Sequence, residues 1–254
     1  MNDIVSKQRA FFYTHKTKAI QFRLAQLNKV ETLLKSNEDL LYQAIYEDFK
    51  KSKFDTYVTE LALLYQDIKE AKRNVRKWSR TKRVGTNMLN FPARSYIIPE
   101  PLGVCLVIGA WNYPYQLTLA PVIAAIAAGN TVIIKPSEMA PKTSALMANL
   151  INENFDSAFL KVVEGGVSET TTLLKSKFDK IFFTGSPQVG KIIYQAAAKN
   201  LTPVTLELGG KSPAIIAEDS NLKMTVKRLV WAKFLNAGQT CIAPDYVLVH
   251  KSIE

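Results

Sequence analysis

Val104-Cys-Leu-Val-Ile108 is an unbroken apolar run bounded by Gly103 and by the small, polar break Gly109-Ala-Trp-Asn112. A run of this length, rich in branched side chains, reads as a strand buried on both faces, the kind used in parallel sheets. A helical stretch follows from about Tyr115 to Ala128 and stops at Gly129-Asn130. The alternation then repeats. Strand Thr131-Val-Ile-Ile134, helix Pro141 to Asn152, strand Lys161-Val-Val163, helix Ser168 to Lys175, strand Lys180-Ile-Phe-Phe183, helix Pro187 to Ala198 and strand Pro203-Val-Thr-Leu-Glu207 follow in order. Buried strands joined by helical crossovers predict an α/β fold with a doubly wound parallel sheet. Such sheets take ligands beyond the carboxyl ends of their strands, here Gly109-Ala-Trp-Asn112, Lys135-Pro-Ser-Glu138, Thr184-Gly-Ser186 and Glu207-Leu-Gly-Gly210.

Upstream, residues 2–80 read as helices. Ile20, Leu24, Leu27, Val30 and Leu34 form one apolar stripe and Leu41, Ala44, Ile45 and Phe49 another, with Asn37 as the expected N-cap of the second helix. Leu61, Leu64, Ile68, Ala71, Val75 and Trp78 form a third stripe. Between Lys69 and Arg83 the same helix carries eight Lys or Arg residues. These read as a solvated outer face, since no aromatic side chains are interleaved with them as in a nucleic-acid surface. From Gly85 to Pro101 the prolines and extended residues predict an edge strand or hairpin that leaves the main body.

The chain has 254 residues, 47% of them hydrophobic, and a net charge of +11, so it can bury a large core and disorder is not expected. Two cysteines indicate a reducing compartment rather than a disulfide framework, and with two distant histidines they offer no metal-ligand spacing. No metal is expected. The N-terminus lacks a signal-type apolar region, and the run from Leu119 to Gly129 is too short to span a bilayer, so a cytoplasmic protein with no membrane partner is expected.

Cys105 lies inside a strand and reads as core. Cys241 lies in Asn236-Ala-Gly-Gln-Thr-Cys241, between a helix with apolar Val226, Leu229, Val230 and Phe234 and the strand-like Tyr246-Val-Leu-Val-His250. A thiol in a small, polar, Gly-broken loop between two packed elements is where a nucleophile would sit; the alternative is a buried, inert cysteine. A Cys/His hydrolase would need His15 or His250, and neither is well placed. Thr184-Gly-Ser-Pro-Gln-Val-Gly-Lys191 joins a strand to a helix and is a natural phosphate site. As a P-loop it has Ile192 where a Mg²⁺-binding hydroxyl is needed; as a dinucleotide fingerprint its middle glycine is Pro187. A second P-loop match ending at Gly210-Lys-Ser212 lacks its first glycine, having Thr205 there.

Taken in order, Ala110-Trp-Asn-Tyr-Pro114, Lys135-Pro-Ser-Glu138, Phe183-Thr-Gly-Ser-Pro-Gln-Val-Gly190, Leu206-Glu-Leu-Gly-Gly-Lys-Ser-Pro213 and Asn236-Ala-Gly-Gln-Thr-Cys241 resemble the NAD(P)-dependent aldehyde dehydrogenases. Gln239-Thr-Cys-Ile-Ala-Pro-Asp-Tyr246 is most similar to the class 3, or fatty-aldehyde, branch. The resemblance implies a Rossmann-like cofactor domain from residues 1–83 and 102–209, a bridging hairpin at 84–101 and, at 210–254, the start of a second α/β catalytic domain. It implies oxidation of an aldehyde to a carboxylate with NAD or NADP. Cys241 would attack the carbonyl, Asn112 and the Cys241 backbone N–H would hold the alkoxide, and Glu207 would act as general base. Lys135 and Glu138 would contact the adenine ribose. Gly185, Ser186 and Gly190 would approach the pyrophosphate, and Trp111 and Leu208 would line the nicotinamide side.

Each residue has a plainer alternative. Asn112 can be a turn or helix cap, Lys135 a solvated strand-end lysine and Glu138 a helix N-terminal acid. Glu207 is harder to explain structurally, because a buried carboxylate is costly without a partner. Other readings are an acyl-CoA or acyl-phosphate reductase of the same superfamily, a P-loop-type nucleotide-binding protein, and a non-catalytic fragment. The family continues past the equivalent of Glu254, so a C-terminally truncated chain is expected, with weak or no activity of its own. The resemblance implies homodimers of full-length members, formed by a C-terminal arm strand that pairs with the hairpin and lies beyond Glu254, so oligomerisation of this chain by itself is not expected. The partner implied is a small aldehyde, with no nucleic acid.

Overall fold

The structure is a computed structural model that describes residues 2–254. Its N-terminal part comprises α1 (Asn2–Tyr13), α2 (Ile20–Ser36), α3 (Glu38–Phe49), a short α4 (Lys53–Thr56) and α5 (Ala62–Trp78), the last two joined by a π-helical turn at Tyr57–Leu61. The apolar stripes are the faces that pack. Leu27, Val30 and Leu34, then Leu41, Ala44 and Ile45, then Leu61, Leu64, Ile68, Ala71 and Val75 are buried, whereas Trp78 at the end of the third stripe is exposed. Each buried Leu, Ile or Val among them contributes about 1.5–3 kcal/mol by leaving water, and Ala44 and Ala71 contribute less. Asn37 does stand between α2 and α3, but not as a side-chain cap. Its amide donates back to Leu33 O at 2.8 Å and closes α2 instead of opening α3.

A two-stranded antiparallel ribbon follows, β1 (Lys82–Val84) against β2 (Ser95–Ile97), with Lys82 opposite Ile97. The expected hairpin at 84–101 therefore begins earlier, at Lys82. Met88, Leu89 and Phe91 at its tip are exposed.

The main sheet contains β3 (Val104–Ile108), β4 (Thr131–Lys135), β5 (Leu160–Val162), β6 (Lys180–Gly185) and β7 (Val204–Leu208). Its spatial order is β5-β4-β3-β6-β7 and every pairing is parallel. Crossovers α6 (Gln116–Ala128), α7 (Pro141–Asn154), α8 (Val167–Leu173) and α9 (Pro187–Ala198) connect the strands. This is the doubly wound, Rossmann-like sheet that the alternation predicts. All residues of β3 and β4 are buried, as strands covered on both faces must be.

Odd and even strand positions feed two separate cores. Cys105, Val107, Val132 and Ile134 pack with the buried faces of α2, α3, α5, α6 and α7. Val104, Leu106, Ile108 and Ile133 pack instead with Val5 of α1, Leu173 of α8 and Ile193 of α9. Helix α6 ends at Gly129, whose φ of +91° is a left-handed conformation that glycine adopts without strain. An added Cβ there would also meet the buried Arg23 guanidinium at 2.8 Å.

Residues after the sheet form β8 (Ser212–Ile216), α10 (Leu222–Phe234) and β9 (Pro244–Val249), with β8 and β9 in a separate parallel pair. Here one expectation fails. None of the side chains of α10 is buried, and Val226, Val230 and Phe234 are exposed, so the helix before Cys241 is not the packed element its pattern suggests. A two-stranded sheet offers too little surface to cover a helix face. Among the described residues no helix is long and apolar enough to cross a membrane.

Candidate active site

Strands β3 and β6 are neighbours although β4 and β5 intervene in sequence, so the chain leaves their carboxyl ends in opposite directions and opens a crevice. The loop after β3 carries Asn112, and α9 begins immediately after β6. Thr184 and Gly185 of β6 lie opposite Glu207 and Leu208 of β7. Residues remote in sequence therefore share one edge of the sheet.

Cys241 reaches this edge on a strained loop. Asn236 (φ 53°, ψ 40°) and Ala237 (φ 54°, ψ 30°) are left-handed, and Gly238 follows at φ +79°. Left-handed backbone costs a non-glycine residue about 1–2 kcal/mol, less for Asn, so neighbouring contacts must offset it. They come chiefly from the loop after β3. Asn236 Nδ2 donates to Asn112 O at 2.8 Å and Asn112 Nδ2 donates to Gln239 O at 2.7 Å. Gln239 Nε2 closes back on Asn236 O at 2.8 Å. Tyr113 Oη and Thr240 Oγ1 share a hydrogen bond of 2.5 Å.

Cys241 is exposed, which removes the reading of a buried, inert thiol; Cys105 is buried, as its strand position implies. An added Cβ on Gly210 would lie 3.5 Å from Cys241 O, so the segment after Glu207 passes beside the thiol's own backbone. Asn112 thus meets the thiol loop directly, and Glu207 lies on the strand end that leads to it. Glu207 itself is exposed. The cost of a buried carboxylate is therefore no argument for its function.

Lys135, at the end of β4, is not the solvated lysine that its strand-end position allows. It is 1% exposed, donates to Pro136 O at 2.6 Å and lies 3.4 Å from Glu138 Oε2. Glu138 is exposed in the turn ahead of α7, outside that helix. Ser186 is the N-cap of α9, its Oγ accepting from Val189 N at 3.3 Å. Gly190 is buried, and an added Cβ would come within 3.1 Å of Leu208 Cδ2, so its small size lets α9 lie close on β7. Half-buried Trp111 is tilted against Phe49, with ring centroids 6.2 Å apart.

Sequence reasoning gave no separate roles to Tyr113, Asn236, Gln239 and Thr240, although all four lie inside the quoted motifs. Their loops touch through the hydrogen bonds above, a fact of tertiary structure. Lys51 and Glu60 carried no signal at all. Their side chains are 6% and 0% exposed and form an ion pair of 2.7 Å, with Lys51 Nζ 4.5 Å from the centre of the Tyr113 ring. Burial pushes the Glu60 carboxyl up, opposed by Lys51 and by backbone donors at Tyr115 and Gln116. Burial likewise raises the Tyr113 phenol.

Comparison with known proteins gives a consistent result. A model of the aldehyde dehydrogenase family matches residues 1–254. The chain is 50% identical to 4,4'-diaponeurosporen-aldehyde dehydrogenase of Staphylococcus aureus, an alignment covering 100% of this chain and 56% of that protein. A structure of the substrate-bound state of Staphylococcus aureus AldH superposes with a TM-score of 0.96 at 49% identity, over 99% of this chain and 55% of that one. A Mycobacterium tuberculosis aldehyde dehydrogenase complexed with NAD+ superposes with a TM-score of 0.87 at 28% identity, over 98% of this chain and 51% of the other. The chain spans about half the length of these relatives. Matched along its whole length and sharing their fold, it belongs to the aldehyde dehydrogenase family, a family of oxidoreductases.

Proposed function

We propose that these residues serve the NAD(P)-dependent oxidation of an aldehyde to a carboxylate, with Cys241 as nucleophile. The observation that carries this reading is the exposed Cys241 on a loop locked to Asn112 through the 2.7 Å bond from Asn112 Nδ2 to Gln239 O. An aldehyde carbon cannot release hydride until a nucleophile has made it tetrahedral, and a polarisable sulfur in an accessible loop suits that step.

Glu207 takes the thiol proton and passes it to solvent, the Cys241 thiolate adds to the carbonyl carbon, and the oxygen becomes an alkoxide beside the Asn112 amide and the Cys241 backbone N–H. Bound dinucleotide supplies the acceptor for the hydride. Loss of hydride from the carbon leaves a thioester on Cys241. Glu207 takes a proton from water as it attacks that carbon, the C–S bond breaks, and Glu207 returns that proton to the departing sulfur, releasing the acid and the free thiol.

Two features of the sheet edge fit a dinucleotide. The Lys135 ammonium is buried with only one close acceptor besides a carboxylate at 3.4 Å, leaving donor capacity for ribose hydroxyls. Thr184 Oγ1, at the crevice end of β6, is buried with no hydrogen-bond partner among the described residues. Glu138 near a ribose would repel a 2′-phosphate, which favours NAD, but its exposed carboxylate is free to turn away, so NADP is also accommodated.

The test is covalent. The purified chain is mixed with NAD or NADP and a medium-chain aliphatic aldehyde, quenched in acid and analysed by peptide mass spectrometry. An acyl adduct on the Cys241 peptide, dependent on dinucleotide and absent from Cys241→Ala, is expected. Acyl transfer to any other residue, or aldehyde oxidation that persists in Cys241→Ala, overturns the reading.

A further inference from the structure

Beneath the loop after β3 lies a buried ionic group that the chemistry above does not use. Glu60 Oε1 holds Lys51 Nζ at 2.7 Å, while Glu60 Oε2 accepts from Tyr115 N at 2.8 Å and Gln116 N at 3.3 Å. Those two amides open α6, where helix N–H groups lack intrahelical partners. Lys51 Nζ, on the same pair, sits 4.5 Å from the Tyr113 ring centre. The pair therefore grips Tyr113-Pro114-Tyr115 twice, by the backbone through Glu60 and by the ring through Lys51. Tyr115 is pinned further by its hydroxyl, which donates to Leu41 O at 2.9 Å.

A buried ion pair is poor value as a stabiliser, because desolvating two charges offsets most of their attraction. What it provides is a fixed geometry. The ring held by Lys51 ends in the hydroxyl that bonds Thr240 Oγ1 at 2.5 Å, one residue before Cys241. An ordinary phenol is protonated at neutral pH and burial only raises Tyr113 further, so two hydroxyls meet in this bond and either can donate to the other. The loop it restrains contains the two left-handed non-glycine residues Asn236 and Ala237, a conformation that relaxes unless held from outside.

We propose that Lys51 and Glu60 are positioning residues for the nucleophile: through the Tyr113 ring and its bond to Thr240, they make the N-terminal helices hold the Cys241 loop against Asn112. The proposal rests on Cys241 being the nucleophile only for its functional meaning; the mechanical link stands apart from it.

The experiment is hydrogen exchange by mass spectrometry on the intact chain, comparing peptides covering residues 236–243 with peptides from β3 and β4. Tyr113→Phe removes the hydroxyl and keeps the ring. Losing a neutral hydrogen bond shifts a local opening equilibrium by about two- to tenfold, so exchange in 236–243 accelerates by that factor while the sheet peptides keep their rates. Because Lys51→Met alone strands a buried carboxylate and risks unfolding, the neutral pair Lys51→Met/Glu60→Gln is used; the glutamine still accepts from Tyr115 N. It is expected to match Tyr113→Phe. Lys51→Arg keeps a cation over the ring and is expected to retain the parent rate. Unchanged loop exchange in either Tyr113→Phe or the neutral pair, equal acceleration of the sheet, or an arginine variant as fast as the neutral pair overturns the proposal. Exchange requires no aldehyde chemistry, so this outcome is separate from the acyl-adduct test of Cys241.

Discussion

The two thiols should differ in reactivity by orders of magnitude, and the structure sets the scale. Cys105 is buried in the central strand, and burial, reinforced by nearby Asp179, pushes its thiol up to about 12. At pH 8 such a group is ionised in about one molecule in ten thousand, whereas an ordinary thiol with a pKa of about 8.5 is about a quarter ionised. Thiolate population alone thus puts Cys105 about two thousandfold below an ordinary thiol, and its enclosure within the core adds to this. Cys241 is exposed and suffers no such enclosure. Titration of the native chain with an aromatic disulfide at pH 8, followed by absorbance, is expected to release one equivalent rapidly and the second only after denaturant is added. Cys241→Ala should remove the fast equivalent and leave the slow one. Rapid release of both thiols, or a fast phase that survives in Cys241→Ala, would refute the assignment of Cys241 as the accessible nucleophile.

Three further outcomes follow from the packing and charge. An added Cβ on Gly109 would fall 1.9 Å from Oγ1 of the fully buried Thr118, so Gly109→Ala should lower stability by about 1–3 kcal/mol or more, read from the urea midpoint. Lys135→Met exchanges a buried ammonium for an apolar chain of similar length: thermal stability should hold or rise, while affinity for NAD, read by calorimetry, should fall at least about tenfold, as expected for losing a charge-assisted bond. Glu31 is held below the usual carboxylate range by hydrogen bonds from Lys35 and Lys72. A carboxyl lowered on folding stabilises above its unfolded pKa of about 4.3 and loses that contribution as pH falls through its folded value, so Glu31→Gln should flatten the acid limb of stability against pH, followed by circular dichroism.

By itself the sequence determined the sheet and its helices, because strands buried on both faces and amphipathic helices announce themselves through apolar runs and through 3/4 spacing. Val104–Ile108 and Thr131–Lys135 are strands, and Pro187–Ala198 is a helix with the same bounds as its pattern. The quoted motifs also located the loops that meet at the sheet edge, since Gly, Asn and Pro punctuate them. Periodicity failed at α10, where Val226, Val230 and Phe234 repeat as a core face but are exposed. A pattern shows which residues can be covered and says nothing of what covers them. Burial of Lys135 and exposure of Glu207 were equally illegible, since a charged residue at a strand end reads the same in either state until its neighbours are placed. Only tertiary structure decided that Asn112 and Gln239 are hydrogen-bonded, 127 positions apart, and that Lys51 and Glu60 sit beneath Tyr113. Local spacing encodes which face of an element is apolar, whereas contacts between remote loops are set by how the packed layers bring them together.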